Sequence, residues 1–165
     1  MMARVCRGAL LAGAMSAVVA FAPAGAQAVP PTAQSGIDVQ HYDIVLDLPD
    51  TGASIRADVT LLVRRRANAP RLRLDLVDAM TVRTVEVDGV AVPVMRPRDA
   101  VDITLDPSRD SARVRIVYDG AVSDGLIVRR DARGRWSWFG DNWPNRARRW
   151  IASVDQPADK ATVNF

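Results

Sequence analysis

The apolar residues of this chain recur at every second position over most of its length. The pattern runs through residues 39–48, 55–63, 72–76, 82–87, 90–94, 101–105, 112–118, 126–129, 136–139 and 160–165. Successive side chains of a strand point to opposite faces of its sheet, so this period predicts strands with one buried face. No stretch before Gly140 has a sustained helical period.

Turn signals separate these runs. Asp88-Gly89 lies between two of them, and this dipeptide favours a type I′ turn, in which both central residues have positive φ. Asp106-Pro107-Ser108 separates another pair. Short alternating strands with regular turns predict an all-β fold, an antiparallel β-sandwich.

The first residues have the three parts of a secretory signal peptide. Arg4 and Arg7 give a positive start, residues 8–21 are apolar and uncharged, and Ala26-Gln27-Ala28 is a small-x-small cleavage pattern. The apolar run is shorter than the roughly 20 residues that span a bilayer. We therefore expect export, to the periplasm or the medium, and no membrane span in the mature chain.

The expected organisation is a cleaved signal peptide at 1–28, a linker rich in proline, serine and glycine at 29–36, and one domain at 37–165. Cleavage would remove Cys6, the only cysteine, so no internal disulfide is expected. It would also remove two arginines, which lowers the formal net charge from +3 to about +1. Without a strong positive field or an aromatic ladder, Arg64-Arg65-Arg66 is more typical of a solvated strand end than of nucleic-acid binding.

The chain has one histidine, His41, and one glutamate, Glu86. A zinc site of the H-E-x-x-H kind needs two histidines and a glutamate, so it cannot be built here. A Ser-His-Asp triad would have to use His41, for which a structural role in its alternating strand is expected. The aspartates, Asp75 among them, fall at turns or at polar strand positions and are expected to be solvated. No pair of them stands out as glycosidase machinery.

The end of the chain is more specific. Asp141-Asn142-Trp143-Pro144 precedes Ala147-Arg148, an apolar step at 151–154, Asp155-Gln156-Pro157 and Lys160-Ala161-Thr162. This order and spacing resembles the signature that ends the N-terminal domain of the aminopeptidase N family of zinc metallopeptidases. Residues 41–48 resemble its first strand, residues 85–89 its hairpin, and residues 118–126 its Tyr-x-Gly and following loop. The resemblance extends from about Ile37 to Phe165.

The resemblance implies a saddle-like β-sandwich that packs on a thermolysin-like catalytic domain, which is missing from this chain. Phe165 falls inside a strand that should continue, so a fragment of a longer exported aminopeptidase is expected. Zinc and the peptide substrate would belong to that parent, which would release N-terminal amino acids, and this chain would be inactive alone. Two alternatives are a free-standing exported binding module, with the tryptophans as its ligand platform, and a catalytically dead paralogue.

The resemblance also implies site residues. In the family, a Glu or Gln just upstream of the Ala-Arg pair helps to bind the free α-amine of the substrate. Counting back from Asp155 puts Trp143 there, and the neighbouring Asp141 and Asn142 have the oxygens that an ammonium group needs. Asp141, Asn142 and Trp143 are therefore the substrate-binding candidates.

A structural motif is expected at Arg148, Asp155, Pro157 and Lys160. Within it, Arg148 and Asp155 should hold the turn through a charge-assisted hydrogen bond. The four tryptophans are expected to pack at the sandwich edge or on the missing domain; they are Trp136, Trp138, Trp143 and Trp150. Without that domain, this chain should expose an apolar patch.

Overall fold

The computed structural model describes residues 34, 36–66 and 69–165. The expected signal peptide and almost all of the linker lie outside these residues. The described part is all-β, as predicted, and its only helical element is a 3₁₀ turn at Ala147–Arg149. No helix in this part is long and apolar enough to cross a membrane.

Eleven strands occur in the described residues. They are β1 (Ile37–Asp47), β2 (Ser54–Arg65), β3 (Arg71–Asp75), β4 (Met80–Val87), β5 (Val90–Ala91), β6 (Val94–Met95), β7 (Ala100–Thr104), β8 (Ser111–Ala121), β9 (Leu126–Arg130), β10 (Trp136–Gly140) and β11 (Thr162–Asn164).

Six strands form the larger sheet, in the order β11-β1-β2-β8-β4-β5. All its pairs are antiparallel except β1 with β11, where His41 lies opposite Thr162 in a parallel register. A second sheet has the order β3-β7-β6, and β9 pairs with β10 in a separate two-stranded hairpin. The predicted antiparallel character is therefore confirmed.

The core lies between the larger sheet and the three-stranded sheet, and their inward side chains form one hydrophobic cluster. From the larger sheet, Leu61 and Ile116 contribute side chains that are 0% exposed. Leu74 and Ile103 contribute equally buried side chains from the smaller sheet. These residues occupy the inward positions of the alternation from which the strands were predicted.

The β4–β5 hairpin turns at Asp88 and Gly89, whose φ angles of 51° and 81° confirm the predicted positive φ at both central residues. The strand expected at 90–94 is interrupted, however. β5 ends at Ala91, and β6 joins the other sheet by pairing with β7. Pro93 lies at the break, and it has no N–H to donate to a ladder.

Candidate functional site

The candidate site lies in the segment after β10, residues 141–165, here called the closing segment. It is attached to both sheets. Val77, beyond β3, donates its N–H to the carbonyl of Arg148 at 3.0 Å, and Asp75 and Ser153 form an isolated antiparallel bridge. On the larger sheet, β11 pairs with β1. The segment thus takes its shape from the sandwich rather than from a regular element of its own.

Two buried tyrosines attach the middle of the closing segment to the larger sheet. The Tyr118 hydroxyl donates to the carbonyl of Trp150 at 2.9 Å and accepts the N–H of Ala152 at 3.0 Å. The Tyr42 hydroxyl accepts the N–H of Val154 at 3.1 Å. Burial is the main cause that raises the pKa of both tyrosines, so each stays a neutral hydroxyl.

Three charged side chains join the closing segment to β3. Arg148 Nε lies 3.0 Å from Asp155 Oδ2, and Arg148 Nη1 lies 3.3 Å from Asp75 Oδ1. Asp75 Oδ2 also accepts the N–H of Asp155 at 3.1 Å. The charge-assisted hydrogen bond expected between Arg148 and Asp155 is present, and it is part of a network that also includes Asp75.

Asp75 is a residue for which the expectation from the sequence is wrong, and Asp102, whose side chain is 16% exposed, is another. Asp75 was expected on a solvated strand face, yet its side chain is only 22% exposed and binds two groups of the closing segment. A polar position of an alternating strand is solvated only where nothing covers it, and the closing segment covers this one. The strand pattern itself carries no signal of that cover.

The three substrate-binding candidates differ in their surroundings. Asp141 Oδ2 lies 2.9 Å from Arg146 Nη1, and Asn142 Oδ1 accepts the indole N–H of Trp150 at 2.8 Å. Trp143 has no such bond, and its side chain is 74% exposed. Both candidate acceptor groups are thus held in place by neighbours within the closing segment, next to an exposed indole.

An open groove of about 310 Å³ runs along this part of the closing segment. Its lining residues are Asn142, Trp143, Pro144, Ala147, Ser153, Val154, Asp155, Gln156 and Pro157. The structure therefore brings Asn142 and Trp143 together with Asp155 and Pro157, while Asp141, Arg148 and Lys160 are not in the lining. Ser153, which sequence reasoning did not single out, lines the groove with a buried hydroxyl that lacks a partner in the described residues.

The described residues contain no group of three or more His, Cys, Asp or Glu side chains placed to hold a metal ion. His41 lies on the larger sheet, where its Nδ1 is 2.6 Å from Thr162 Oγ1 and its Nε2 is 3.4 Å from Asn164 Nδ2. These contacts join β1 to β11.

Trp150 is buried, Trp136 and Trp138 are half-buried, and Trp143 is exposed. Phe165 is also exposed, although its ring stacks on that of Trp150 with a centroid distance of 6.3 Å. The large apolar residues exposed between positions 136 and 165 are Phe139, Trp143, Val163 and Phe165.

Comparisons with known proteins found relatives among solved structures. No family model matches the chain, and no curated protein matches it. An M1 zinc metallopeptidase from Deinococcus radiodurans is 30% identical with a TM-score of 0.64, over 79% of this chain and 32% of that chain. A mutant of an M1 zinc metallopeptidase from the same organism, bound to a Tyr-Ser-Ala substrate, is 31% identical over the same shares, with a TM-score of 0.64.

Yeast LTA4 hydrolase in complex with bestatin is 20% identical with a TM-score of 0.66, over 83% of this chain and 24% of that chain. At this identity the likeness concerns the fold. The chain spans about a third of the length of the M1 structures that it matches. The resemblance to zinc metallopeptidases noted from the sequence is confirmed.

Proposed function

We propose that this chain is the non-catalytic N-terminal domain of an exported zinc-dependent aminopeptidase, in which it packs on a catalytic domain and forms one wall of the substrate cleft. The observation that carries the proposal is the 30% identity to an M1 zinc metallopeptidase over 79% of this chain, with the same fold. Because the match covers only 32% of that protein, the activity itself is assigned to the rest of the parent.

The residues of this chain do not fit a zinc ion. With one histidine and one glutamate in the whole sequence, the ligands and the general base of a zinc peptidase must come from another part of the parent. The chemistry there would be metal-assisted hydrolysis of the first peptide bond. The contribution of this domain is therefore to bind and orient the peptide substrate and to exclude water from the cleft.

The groove supports a role in binding the start of a peptide. An α-ammonium group is recognised by carboxylate or amide oxygens. Asn142 lines the groove with such an oxygen, and Asp141, the next residue in the chain, lies outside the lining. Arg146 holds the Asp141 carboxylate, and Trp150 holds the Asn142 amide, so neither group has to be ordered when substrate binds. A preorganised acceptor loses less entropy on binding than a mobile one.

The exposed apolar residues support packing on a second domain. Trp143 and Phe165 are 74% and 76% exposed. Aromatic residues are enriched at the buried centres of interfaces, so these two exposed rings favour a contact surface.

The test begins with the native protein. An antibody raised against this domain is used to isolate the protein from its source cells, and the intact mass is measured. We expect a species several times heavier than the 17.9 kDa of this chain. The isolated protein should release amino acids from peptide amides with a free N-terminus, and a zinc chelator should abolish that release.

Two results would contradict the proposal. One is a native species of the mass of this chain, with or without its first 28 residues, which would favour a free-standing binding module. The other is a heavier species whose peptidase activity is absent or insensitive to the chelator. Fractionation of the same cells into periplasm, medium and cytoplasm tests the expected export separately.

A further inference from the structure

The hairpin of β9 and β10, residues 126–140, concentrates positive charge on a projecting two-stranded ribbon. It carries four arginines and a single acid, so its formal charge is +3 (four minus one). Arg129, Arg130, Arg133 and Arg135 are all exposed. Asp131 pairs with Arg135 through a 3.0 Å contact and accepts backbone N–H groups of the turn, so the acid serves the turn of the hairpin.

On the six-stranded and three-stranded sheets, unlike on the hairpin, carboxylates offset much of the arginine charge. There, arginines commonly face carboxylates of neighbouring strands. These pairs are Arg73–Asp102, Arg83–Asp119, Arg115–Asp58 and Arg115–Glu86. The hairpin has four arginines for one carboxylate, so its excess of positive charge is a property of this ribbon and not of the chain as a whole.

The strand register divides the hairpin into two faces. Val128 lies opposite Trp138, and both side chains pack on the core cluster. Residues on the other face alternate with these, so Ile127 lies opposite Phe139 on the outward side, and Arg129 lies opposite Ser137. Phe139 is 60% exposed. The outward face therefore combines an apolar cross-strand pair with an arginine.

Near the turn, Arg130 lies over Trp136 with its guanidinium carbon 4.6 Å from the ring centroid. This stacking covers the indole and holds the guanidinium at the surface of the ribbon. Arg133 is at the turn itself, where only its backbone N–H is bonded, to Asp131. Phe139 is then the aromatic side chain of the ribbon that remains broadly exposed.

We propose that this hairpin binds the surface of an anionic lipid bilayer. Arginine guanidinium groups pair with lipid phosphates and carboxylates, and an exposed apolar side chain such as Phe139 enters the interfacial region. Single-stranded nucleic acid fits the ribbon less well, since its successive bases stack on several open aromatic faces and Phe139 supplies one. Trp136 is covered by Arg130 and Trp138 is packed on the core.

The binding should be weak and salt-dependent. Each arginine near an anionic membrane surface contributes about fivefold to the partition coefficient, and screening by salt reduces this contribution. The net charge of +3 on the hairpin and one inserted phenylalanine give a reversible contact rather than a stable anchor. Such a contact would raise the local concentration of the protein at a membrane without inserting a segment across it.

Vesicle flotation tests the proposal with the whole chain. Vesicles of phosphatidylcholine are compared with vesicles containing about one-third phosphatidylserine, a strongly anionic surface. The hairpin variant R129Q/R133Q is compared with the sheet variant R64Q/R71Q, which removes the same charge from exposed positions of β2 and β3. All three proteins keep the same N-terminus, so any contribution of the first residues to binding is common to them.

We expect the chain to float with anionic vesicles more than with neutral ones. R129Q/R133Q should lower its partition coefficient by at least about tenfold, and R64Q/R71Q should change it by less than about threefold. F139S should lower binding to anionic vesicles as well, because the apolar contribution is lost. Melting temperatures should be unchanged by both double substitutions, since all four side chains are exposed.

Four outcomes would overturn the proposal. The chain could fail to prefer anionic vesicles, the two double variants could lose binding equally, or R129Q/R133Q could bind like the parent. Binding to double-stranded DNA at the same salt without flotation would also overturn it, because the hairpin would then recognise a polyanion and not a bilayer. None of these outcomes depends on whether the native protein carries a catalytic domain.

Discussion

The hydroxyl of Tyr118 donates to the carbonyl of Trp150 and accepts the N–H of Ala152, so one side chain of β8 satisfies two backbone groups of the closing segment. Both bonds are buried. An unsatisfied buried backbone group costs about 1–3 kcal/mol. This single hydroxyl therefore fixes where the closing segment lies on the larger sheet.

We expect Tyr118→Phe to lower the free energy of unfolding by about 2–3 kcal/mol, because two buried partners lose their bond. Tyr42→Phe is the matched control, since the Tyr42 hydroxyl serves only the N–H of Val154, and it should cost about half as much. Urea unfolding of both variants measures the difference. Equal losses would show that the second bond of Tyr118 contributes nothing.

Gly89 and Gly125 have similar φ angles, but only Gly125 is crowded by neighbouring atoms. Comparing alanine substitutions at the two positions therefore distinguishes the cost of a left-handed backbone from the cost of a steric clash. Gly89 has φ +81° and open space where a Cβ would lie, so Gly89→Ala should cost about 1–2 kcal/mol from the left-handed backbone alone. Gly125 has φ +78°, and a Cβ there would lie 2.3 Å from the carbonyl oxygen of Arg146.

Gly125→Ala should therefore cost about 1–3 kcal/mol more than Gly89→Ala, because the closing segment must move away from the hairpin. Urea midpoints of the two variants provide the comparison. The near-ultraviolet circular dichroism of Gly125→Ala should also change, since the Cβ would come within 3.0 Å of Trp150. A cost equal to that of Gly89→Ala would mean that the contact yields freely.

Much of the fold follows from the alternation of apolar residues. β2 and β8 were predictable because their inward positions are apolar along most of their length, and Asp88-Gly89 predicted its turn from backbone geometry alone. The break between β5 and β6 was less accessible. Pro93 marks it, yet the local sequence does not show that the chain crosses there to the other sheet.

The candidate site was predictable in its residue types but not in its contacts. Asn142, Trp143, Asp155 and Pro157 line one groove, as their closeness in a resembling motif suggested. Partners that attach the closing segment come from distant parts of the chain: Asp75 on β3 binds Asp155, and Tyr118 on β8 binds Ala152. Pairings of this range depend on how the two sheets pack, and no local pattern encodes them.

The network of Arg148 with Asp75 and Asp155 should couple the closing segment to β3. Their side chains are 26%, 22% and 11% exposed, so solvent screens the charges only in part. Arg148→Met should lower the free energy of unfolding by about 2 kcal/mol, because two neighbouring carboxylates lose their cation.

A double-mutant cycle of Arg148→Met with Asp155→Asn should give a coupling energy of about 1–2 kcal/mol. Arg83→Met, which removes the exposed partner of Asp119 on the larger sheet, serves as the control and should change stability much less. Additive effects of Arg148→Met and Asp155→Asn would show that the two residues act independently.

Asp159 should make the domain less stable as pH rises. Burial raises the pKa of its carboxyl, the neighbouring Asp38 adds to the rise, and a hydrogen bond from the N–H of Val39 opposes it. The folded state then binds the proton more tightly than the unfolded state does. Stability therefore falls as pH rises from the ordinary carboxyl value through the raised one.

Asp159→Asn should raise the melting temperature at neutral pH, and this gain should disappear below about pH 4, where the carboxyl is neutral in both states. Asp131→Asn is a control of opposite sign, because hydrogen bonds from Arg135 and Arg133 lower the pKa of Asp131. It should reduce stability at neutral pH and have little effect in acid. Identical pH profiles for the two variants would contradict both assignments.

Asp141 tests the proposed role of the closing segment in the parent enzyme. If its carboxylate binds the α-ammonium group of a peptide, Asp141→Asn should raise KM by about tenfold while kcat changes little, because a charge-assisted hydrogen bond becomes a neutral one. Asp43→Asn, at an exposed position of β1, is the matched control and should leave both constants unchanged.

The melting temperature of each variant shows whether a kinetic change reflects misfolding, since Asp141 also pairs with Arg146. Arg146→Met provides a second check, because it leaves the carboxylate in place but removes the contact that orients it, and it should raise KM by a smaller factor. An unchanged KM in a stable Asp141→Asn enzyme would mean that the amine of the substrate binds to residues other than Asp141.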